Sequence, residues 1–451
     1  MIKRKSKIKK LIPLFIIIVV IILAGIWIMP KMEKAAPVIT SDLDRVNIGR
    51  NHEIEFSFSE QGQGLKMARV LFEQNGQQIV LFLKEYPKGS QVMRETVKVK
   101  LDPTQFKIEE GPASFRVLAW DYSWRSVGKG SRTELVQDVF IDMRPPVISP
   151  VSSQHNVRQG GAGLVVYRVS KPVAKTGVWV GEHFYPGQAG YLRDDPNLYL
   201  AFFALGNEDP KTTQFKVEAI DMAGNRAETA VYNHIREHKF PHDKINISDN
   251  FLRTVVPPFY PEVGADTPIE EVLDKYIHIN SVTRVENDAK LQEIMAASEP
   301  LMYWEGAFLA LPNGATRAGF GDKRDYVYKG KVVDQQTHLG LDLASLARAE
   351  IPAANRGKVV FTGFLGIYGE TVVLDHGFNL FSLYAHMSSI SVNVGDIMEK
   401  GDTLGRTGTT GLAVGDHLHF SMLVSGQFVE PKEWLDGSWI KNNITDKLPA
   451  P

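Results

Sequence analysis

The chain has 451 residues, 43% of them hydrophobic and 23% charged, with a formal net charge of −1. That length predicts about three folded domains, and the balanced charge leaves no basic excess for a nucleic-acid partner, so none is expected. There is no cysteine, which excludes disulfides, thiolate metal ligands, cysteine nucleophiles and lipid-modified cysteine.

The N-terminus opens with a basic tail, residues 1–10, that holds six Lys/Arg. Residues 11–29 follow without a charge, LIPLFIIIVVIILAGIWIM. As a helix they would extend roughly 28 Å, close to the thickness of the bilayer hydrocarbon. The positive-inside rule then predicts a cytoplasmic tail, a single-pass transmembrane anchor at 11–29 and an extracytoplasmic remainder, on the periplasmic or cell-wall side. A cleaved signal peptide is the rival reading, but GIWIMPKM offers no small-x-small cleavage site.

From about residue 37 the pattern alternates with period two, as in HEIEFSFSE, where Ile54, Phe56 and Phe58 share one face. A repeat runs through this region. PVITS at Pro37 returns as PVISP at Pro146, and FRVLAWD at Phe115–Asp121 returns as FKVEAID at Phe215–Asp221. Two tandem immunoglobulin-like β-sandwich domains, 37–145 and 146–235, account for this, with one larger β domain as the rival. Residues 236–300 read as a proline-rich connector with two helices. One is DTPIEEVLDKYIHI, capped by Asp266 or Thr267, and the other is NDAKLQEIMAASE, stopped before Pro300. From 301 to 440 strands return between glycine turns, predicting an antiparallel β domain.

Chemistry-bearing residues cluster in that last region. GDHLHFSM places His417 and His419 on one strand face, with Leu418, Phe420 and Met422 on the other. HLGLDL puts His338, Gly340 and Asp342 opposite Leu339, Leu341 and Leu343. Full extension would separate His338 from Asp342 by roughly 13 Å, too far for one ion, so shared ligation requires a bend, which Gly340 permits. Without thiolates, zinc takes His nitrogen and Asp oxygen, and a catalytic site uses three protein ligands and leaves one position free. His338, Asp342 and one of His417 and His419 would meet that rule. His386 and the other member of the pair would serve as base and electrophile toward water. Spacing alone leaves open which of the two is the ligand.

With these residues the sequence resembles the lysostaphin/LytM-type zinc metallopeptidases, which cut peptidoglycan cross-bridges. The resemblance covers about residues 301–440. It rests on PNGATRAGFGDKR, on the H-x-G-x-D of HLGLDLA, and on the stretch VVLDHGFNLFSLYAHMSSISV…GDTLGRTGTTGLAVGDHLHFSM. It implies one zinc held by His338, Asp342 and His419, with His386 and His417 as the catalytic pair. It also implies a duplicated hybrid β motif with a groove for an extended peptide. Tyr384, predicted to share a strand face with His386, is a candidate for substrate contact, as are Asn313 and Arg324 on the rim. His376 is left outside the site, and Thr409 and Thr410 are assigned to a turn. The expected fold is therefore mainly β: an antiparallel catalytic domain preceded by the two sandwiches, a short helical connector and the anchor.

The expected function is a membrane-anchored zinc metalloendopeptidase that hydrolyses peptidoglycan peptide cross-links. The sandwich domains would hold it at the wall or dock cell-wall or division proteins. The alternative is a LytM-type activator or scaffold that docks on another cell-wall hydrolase.

Overall fold

A computed structural model describes residues 8–29, 35–44, 46–49, 52–102, 106–124 and 129–450. The first seven residues of the expected cytoplasmic tail lie outside them. The apolar segment forms one helix, Ile8–Ile28, although its run of β-branched Ile and Val and its Pro13 are weak helix formers in water. Phe15 through Leu23 are exposed along it. Among the described residues no helix is long and apolar enough to cross a membrane. The side chains of residues 8–12, 14 and 28 are not among those described.

Two compact units make up the chain. The first comprises residues 1–145 with 220–225, the second 146–219 with 226–451. In the first unit the strands Val38–Ser41, Glu53–Ser59 and Arg94–Lys100 form one antiparallel sheet. A five-stranded sheet runs in the order Asn47–Ile48, Arg132–Ile141, Gly111–Asp121, Leu65–Gln74, Gln77–Glu85. The two sheets share one core. Ile54, Phe56 and Phe58 meet Phe72, Phe115 and Val117, all fully buried, as the alternation in the sequence requires. Each such aromatic contributes about 1.5–3 kcal/mol on burial, so Phe56 or Phe115 to Ala is the substitution that opens this core.

The repeated F-x-V-x-A-x-D motif ends both copies with the same device. The Asp121 carboxylate accepts from the Ser123 and Ser131 amides, at 3.0 and 2.6 Å. The Asp221 carboxylate accepts from the Ala223 and Asn225 amides, at 2.9 and 2.8 Å. In each case a buried carboxylate terminates the strand and gathers the donors of the following turn.

In the second unit residues 146–219 contribute short sheets whose core is continuous with that of the C-terminal region. Leu164, Phe202 and Phe203 belong to the same cluster as Trp304, Phe420 and Trp434. Arg158 bonds Glu430 and lies 3.6 Å from Glu433, and the Ala162 amide donates to Glu433 at 3.0 Å. Burial pushes the Glu433 carboxyl up to about 7.

The stretch expected to be a connector has more structure than two helices. The strand His242–Asn246 pairs in parallel with Lys323–Tyr328, which pairs in turn with Lys331–Thr337. A first helix covers Asp249–Val255, capped by Ser248. The two expected helices, Ile269–His278 and Arg284–Ile294, form one rod joined by a π-turn, Ile279–Thr283. Neither Asp266 nor Thr267 caps it. Pro268 takes the N-cap position, and Thr267 Oγ accepts from the Gly264 amide instead.

The remainder is dominated by a ten-stranded antiparallel sheet. At its centre Leu418–Val424 lies between Leu341–Ala344 and Leu380–Ile390. Its Leu418, Phe420 and Met422 enter one core, and Leu423 enters the other. A slip by one residue would carry His419 and Ser421 into the core that Leu418, Phe420 and Met422 fill, so the register is fixed.

Candidate metal centre and active site

Register places the donors. Asp342 lies directly opposite His419 in the antiparallel pairing of Leu341–Ala344 with Leu418–Val424. His338 comes from the preceding turn. The strand Lys331–Thr337 ends before it, and the chain bends at Gly340. A Cβ at Gly340 would stand 2.5 Å from the His419 ring and 2.6 Å from Ser421 Oγ. Glycine is therefore required by close approach. The bend also corrects the predicted alternation. Leu341 and Leu343 enter one core, whereas Leu339 packs against the other.

The result is a tight triangle. His338 Nε2 lies 3.0 Å from Asp342 Oδ1 and 3.1 Å from His419 Nδ1, and His419 Nδ1 lies 2.9 Å from Asp342 Oδ1. Hydrogen-bond partners assign the protons. His338 Nδ1 faces the Gly319 carbonyl at 2.7 Å, which can only accept, so its proton sits there and Nε2 carries a lone pair. Ser421 Oγ donates to the Leu339 carbonyl at 2.9 Å, so it accepts from His419 Nε2 at 3.0 Å. His419 Nδ1 is then also a bare lone pair. Three electron-rich atoms thus meet with no proton between them, an arrangement that a cation satisfies. Two imidazole nitrogens and one carboxylate oxygen, with no thiolate, are a donor set that suits zinc.

Electrostatics agree. Burial would raise the Asp342 carboxyl, but the facing His338 and His419 nitrogens hold it far below the carboxylate range whenever a proton, in place of a cation, occupies the triangle. Burial lowers His419 to about 4, against the pull of Asp342. The site therefore keeps an anion and a neutral imidazole at neutral pH, the protonation states that a metal requires.

The other two histidines face the triangle. His386 and His417 have ring centroids 4.8 Å apart, and His386 lies 5.7 Å from His419. His386 Nδ1 donates to the Thr410 carbonyl at 2.8 Å, and His417 Nδ1 to the Gly415 carbonyl at 2.7 Å. Both therefore carry the lone pair on Nε2. His417 Nε2 is 3.6 Å from Asp342 Oδ1. Burial, and then the neighbouring His419 and His417, lower His386 to about 3.

His386 reaches the site by a backbone distortion. Its φ is +61°, in the left-handed region, and the pairing of its strand with Glu370–Asp375 slips between Glu370 and Val372. A bulge of this kind turns one side chain to the opposite face. It overturns the expectation that Tyr384 shares a face with His386. Tyr384 is fully buried in the core, and its hydroxyl accepts from the Ala354 amide at 2.8 Å.

All five predicted residues line one pocket of about 500 Å3, together with Arg324, Arg317, Tyr368, Tyr276 and Arg284. Asn313 is not among its lining residues; it turns the chain with φ +54°. His376 is structural, fully buried between the Arg356 carbonyl at 2.8 Å and Ser382 Oγ at 2.7 Å. Sequence reasoning missed the groups that aim the imidazoles. Thr410 is one of them: its carbonyl holds His386, while its hydroxyl donates to the Met387 carbonyl and accepts from the Glu370 amide. Only the position of GTTG between two histidine motifs could have signalled this.

Residues 336–431 match the model of peptidase family M23. Over 94 residues the chain is 35% identical to a DD-carboxypeptidase/endopeptidase Mpg of Neisseria meningitidis, covering 21% of this chain and 22% of that protein. Over 113 residues it is 31% identical to the peptidoglycan DD-endopeptidase ShyB of Vibrio cholerae, covering 25% and 26%. The match thus spans about a quarter of these relatives' own length. The catalytic domain of lysostaphin from Staphylococcus simulans aligns at 26% identity and a TM-score of 0.25, covering 29% of this chain and 98% of that one. The region that holds His338, Asp342, His386, His417 and His419 is accordingly a peptidase family M23 domain.

Proposed function

We propose that this chain is a membrane-anchored zinc endopeptidase that hydrolyses the peptide cross-links of peptidoglycan outside the cytoplasmic membrane. The observation that carries the reading is the meeting of three unprotonated donors, His338 Nε2, Asp342 Oδ1 and His419 Nδ1, beneath two further imidazoles. His338, Asp342 and His419 would hold the metal. When bound, zinc supplies Lewis-acid polarisation of a peptide carbonyl and lowers the pKa of water. His386 and His417 donate through Nδ1 and keep the Nε2 lone pair free, so either can take a proton from water. Once protonated, the same N–H can donate to the oxygen that gains negative charge or return the proton to the leaving amine. The carbonyls of Thr410 and Gly415 fix both rings in the required tautomer.

Support for peptidoglycan as substrate comes from the DD-endopeptidases that the domain resembles. Support for an anchor comes from the sequence, in which six Lys/Arg precede the charge-free apolar run 11–29, and from Phe15, Ile21 and Leu23, which are exposed on the helix Ile8–Ile28. In this reading the two repeats are immunoglobulin-like modules that hold the enzyme at the wall, with the paired Asp121 and Asp221 turns in their favour.

The test is His338→Ala and His419→Ala in the full chain, with zinc content and muropeptide products measured together. Both variants are expected to lose zinc and cleavage. Cleavage that survives without metal would refute the mechanism. Stoichiometric zinc in the unaltered chain with no turnover on purified sacculi would favour the activator reading.

A further inference from the structure

The pocket has a second wall, which comes from the connector and not from the M23 domain: Ile245, Phe251, Tyr276 and Arg284 line it. Tyr276 is fully buried between Phe251 and Tyr326, with ring centroids 5.5 and 6.1 Å away. Among the described residues its hydroxyl has no hydrogen-bond partner. Such an orphan is rare and costly, and calls for a partner that the chain does not supply. Burial raises its pKa, and Tyr326, Arg284, Asp334 and Arg324 are the groups whose charge acts on it.

Arg284 is held in place by the π-turn. Its Nε donates to the Asn280 carbonyl at 3.1 Å, and its Nη2 to Asn280 Oδ1 at 2.7 Å. Asn280 is fully buried and donates to Asp334 at 2.7 Å, which fastens the turn to the strand Lys331–Thr337. A π-turn inside a helix is itself unusual and recurs at functional sites. Among the described residues Arg284 and Arg317 form no ion pair with a carboxylate, and Arg324 only approaches Asp342 Oδ2 at 3.7 Å. The acids nearby are engaged. Asp334 accepts from Asn280 and Gln336, Asp416 from the Arg348 amide and Thr407, and Asp288 from Tyr368. Asp342 belongs to the metal triangle.

We propose that Arg284 and the Tyr276 hydroxyl, with Arg324 beside them, form a carboxylate subsite that selects peptides bearing a free carboxylate next to the scissile amide. This rests on the peptidase reading above. A guanidinium fork fits a carboxylate in two hydrogen bonds, and a phenol adds a third donor with no competing acceptor. Because these donors are held within the wall, an amidated peptide, which puts an NH2 group in place of one acceptor oxygen, would leave part of them unsatisfied and be disfavoured. A neutral glycine bridge offers nothing to them.

The experiment uses the zinc-loaded full chain with two synthetic cross-linked peptides, identical except for a free carboxylate or a carboxamide next to the scissile bond. The carboxylate is expected to be favoured in kcat/KM by about tenfold or more. Arg284→Gln is expected to bring the ratio to about 1. Tyr276→Phe, which removes one oxygen and keeps the packing, is expected to lower it without loss of zinc, so misfolding is separated from loss of the subsite. Cleavage of both peptides at equal rates by the unaltered chain overturns the subsite and leaves the peptidase reading standing. If neither is cleaved, calorimetry on the same peptides decides. Binding that prefers the carboxylate and loses that preference in Arg284→Gln upholds the subsite while the peptidase reading falls. Binding without preference overturns the subsite.

Discussion

The two walls of the pocket are built on opposite terms. On the sheet side every imidazole nitrogen that does not face the centre is satisfied by a carbonyl or a hydroxyl: Gly319, Leu339 through Ser421, Thr410 and Gly415. On the connector side, among the described residues, a fully buried phenol has no hydrogen-bond partner and a guanidinium is held by amide groups alone. The first wall is over-determined and gives fixed tautomers and fixed distances. The second keeps unspent donors. The contrast separates chemistry, which needs atoms held in place before substrate arrives, from recognition, which needs groups that substrate completes.

The sheet side breaks hardest. His386→Ala is expected to lower kcat by about 10²–10⁴-fold while zinc stays bound, because this ring moves protons and holds no metal in the proposed scheme. Steady-state kinetics alongside metal analysis checks it, and a metal-free variant would contradict the assignment. Gly340→Ala follows. A methyl 2.5 Å from the His419 ring must push that ring out of the triangle, so both zinc occupancy and thermal stability should fall, by about 2–4 kcal/mol in unfolding free energy. Occupancy equal to that of the unaltered chain would show that the ring has room to move.

Glu433 tests a region away from the pocket, where Arg158 and the Ala162 amide meet the helix Pro431–Leu435. Its carboxyl keeps a proton up to about 7 in the fold but releases it near 4.5 in the unfolded chain. Between those values the unfolded chain binds fewer protons, so stability falls as pH rises through that window. Glu433→Gln should flatten this slope by about 1–3 kcal/mol in denaturant unfolding between pH 4.5 and 7. An unchanged slope would place the titration elsewhere. The smallest effect is expected from Thr410→Val. It removes the hydroxyl that pins the turn but keeps the carbonyl that holds His386, so a loss of about threefold to tenfold in kcat with unchanged zinc is predicted.

The site was legible in the sequence because its donors are local patterns. H-x-H puts two rings on one strand face, and H-x-G-x-D demands a bend wherever both ends meet one ion. The buried alternation of Ile54, Phe56 and Phe58 was equally readable, since period two is a property of the strand itself. Tyr384 was misplaced because periodicity assumes an unbroken strand, and the bulge at His386 exists only through pairing with Glu370–Asp375. The connector was underestimated for a related reason. The strand His242–Asn246 gains its hydrogen bonds only from Lys323–Tyr328, more than seventy residues away.

The sequence by itself therefore determined which residues carry donors, which faces are apolar and where glycine must stand, since these follow from side-chain chemistry and backbone period. The tertiary structure alone decided which nitrogen of each histidine is bare and that a stretch far upstream completes the pocket. Proton placement depends on which carbonyl each ring meets, and wall membership on which strand each edge finds; both are contacts between residues that the linear order keeps apart.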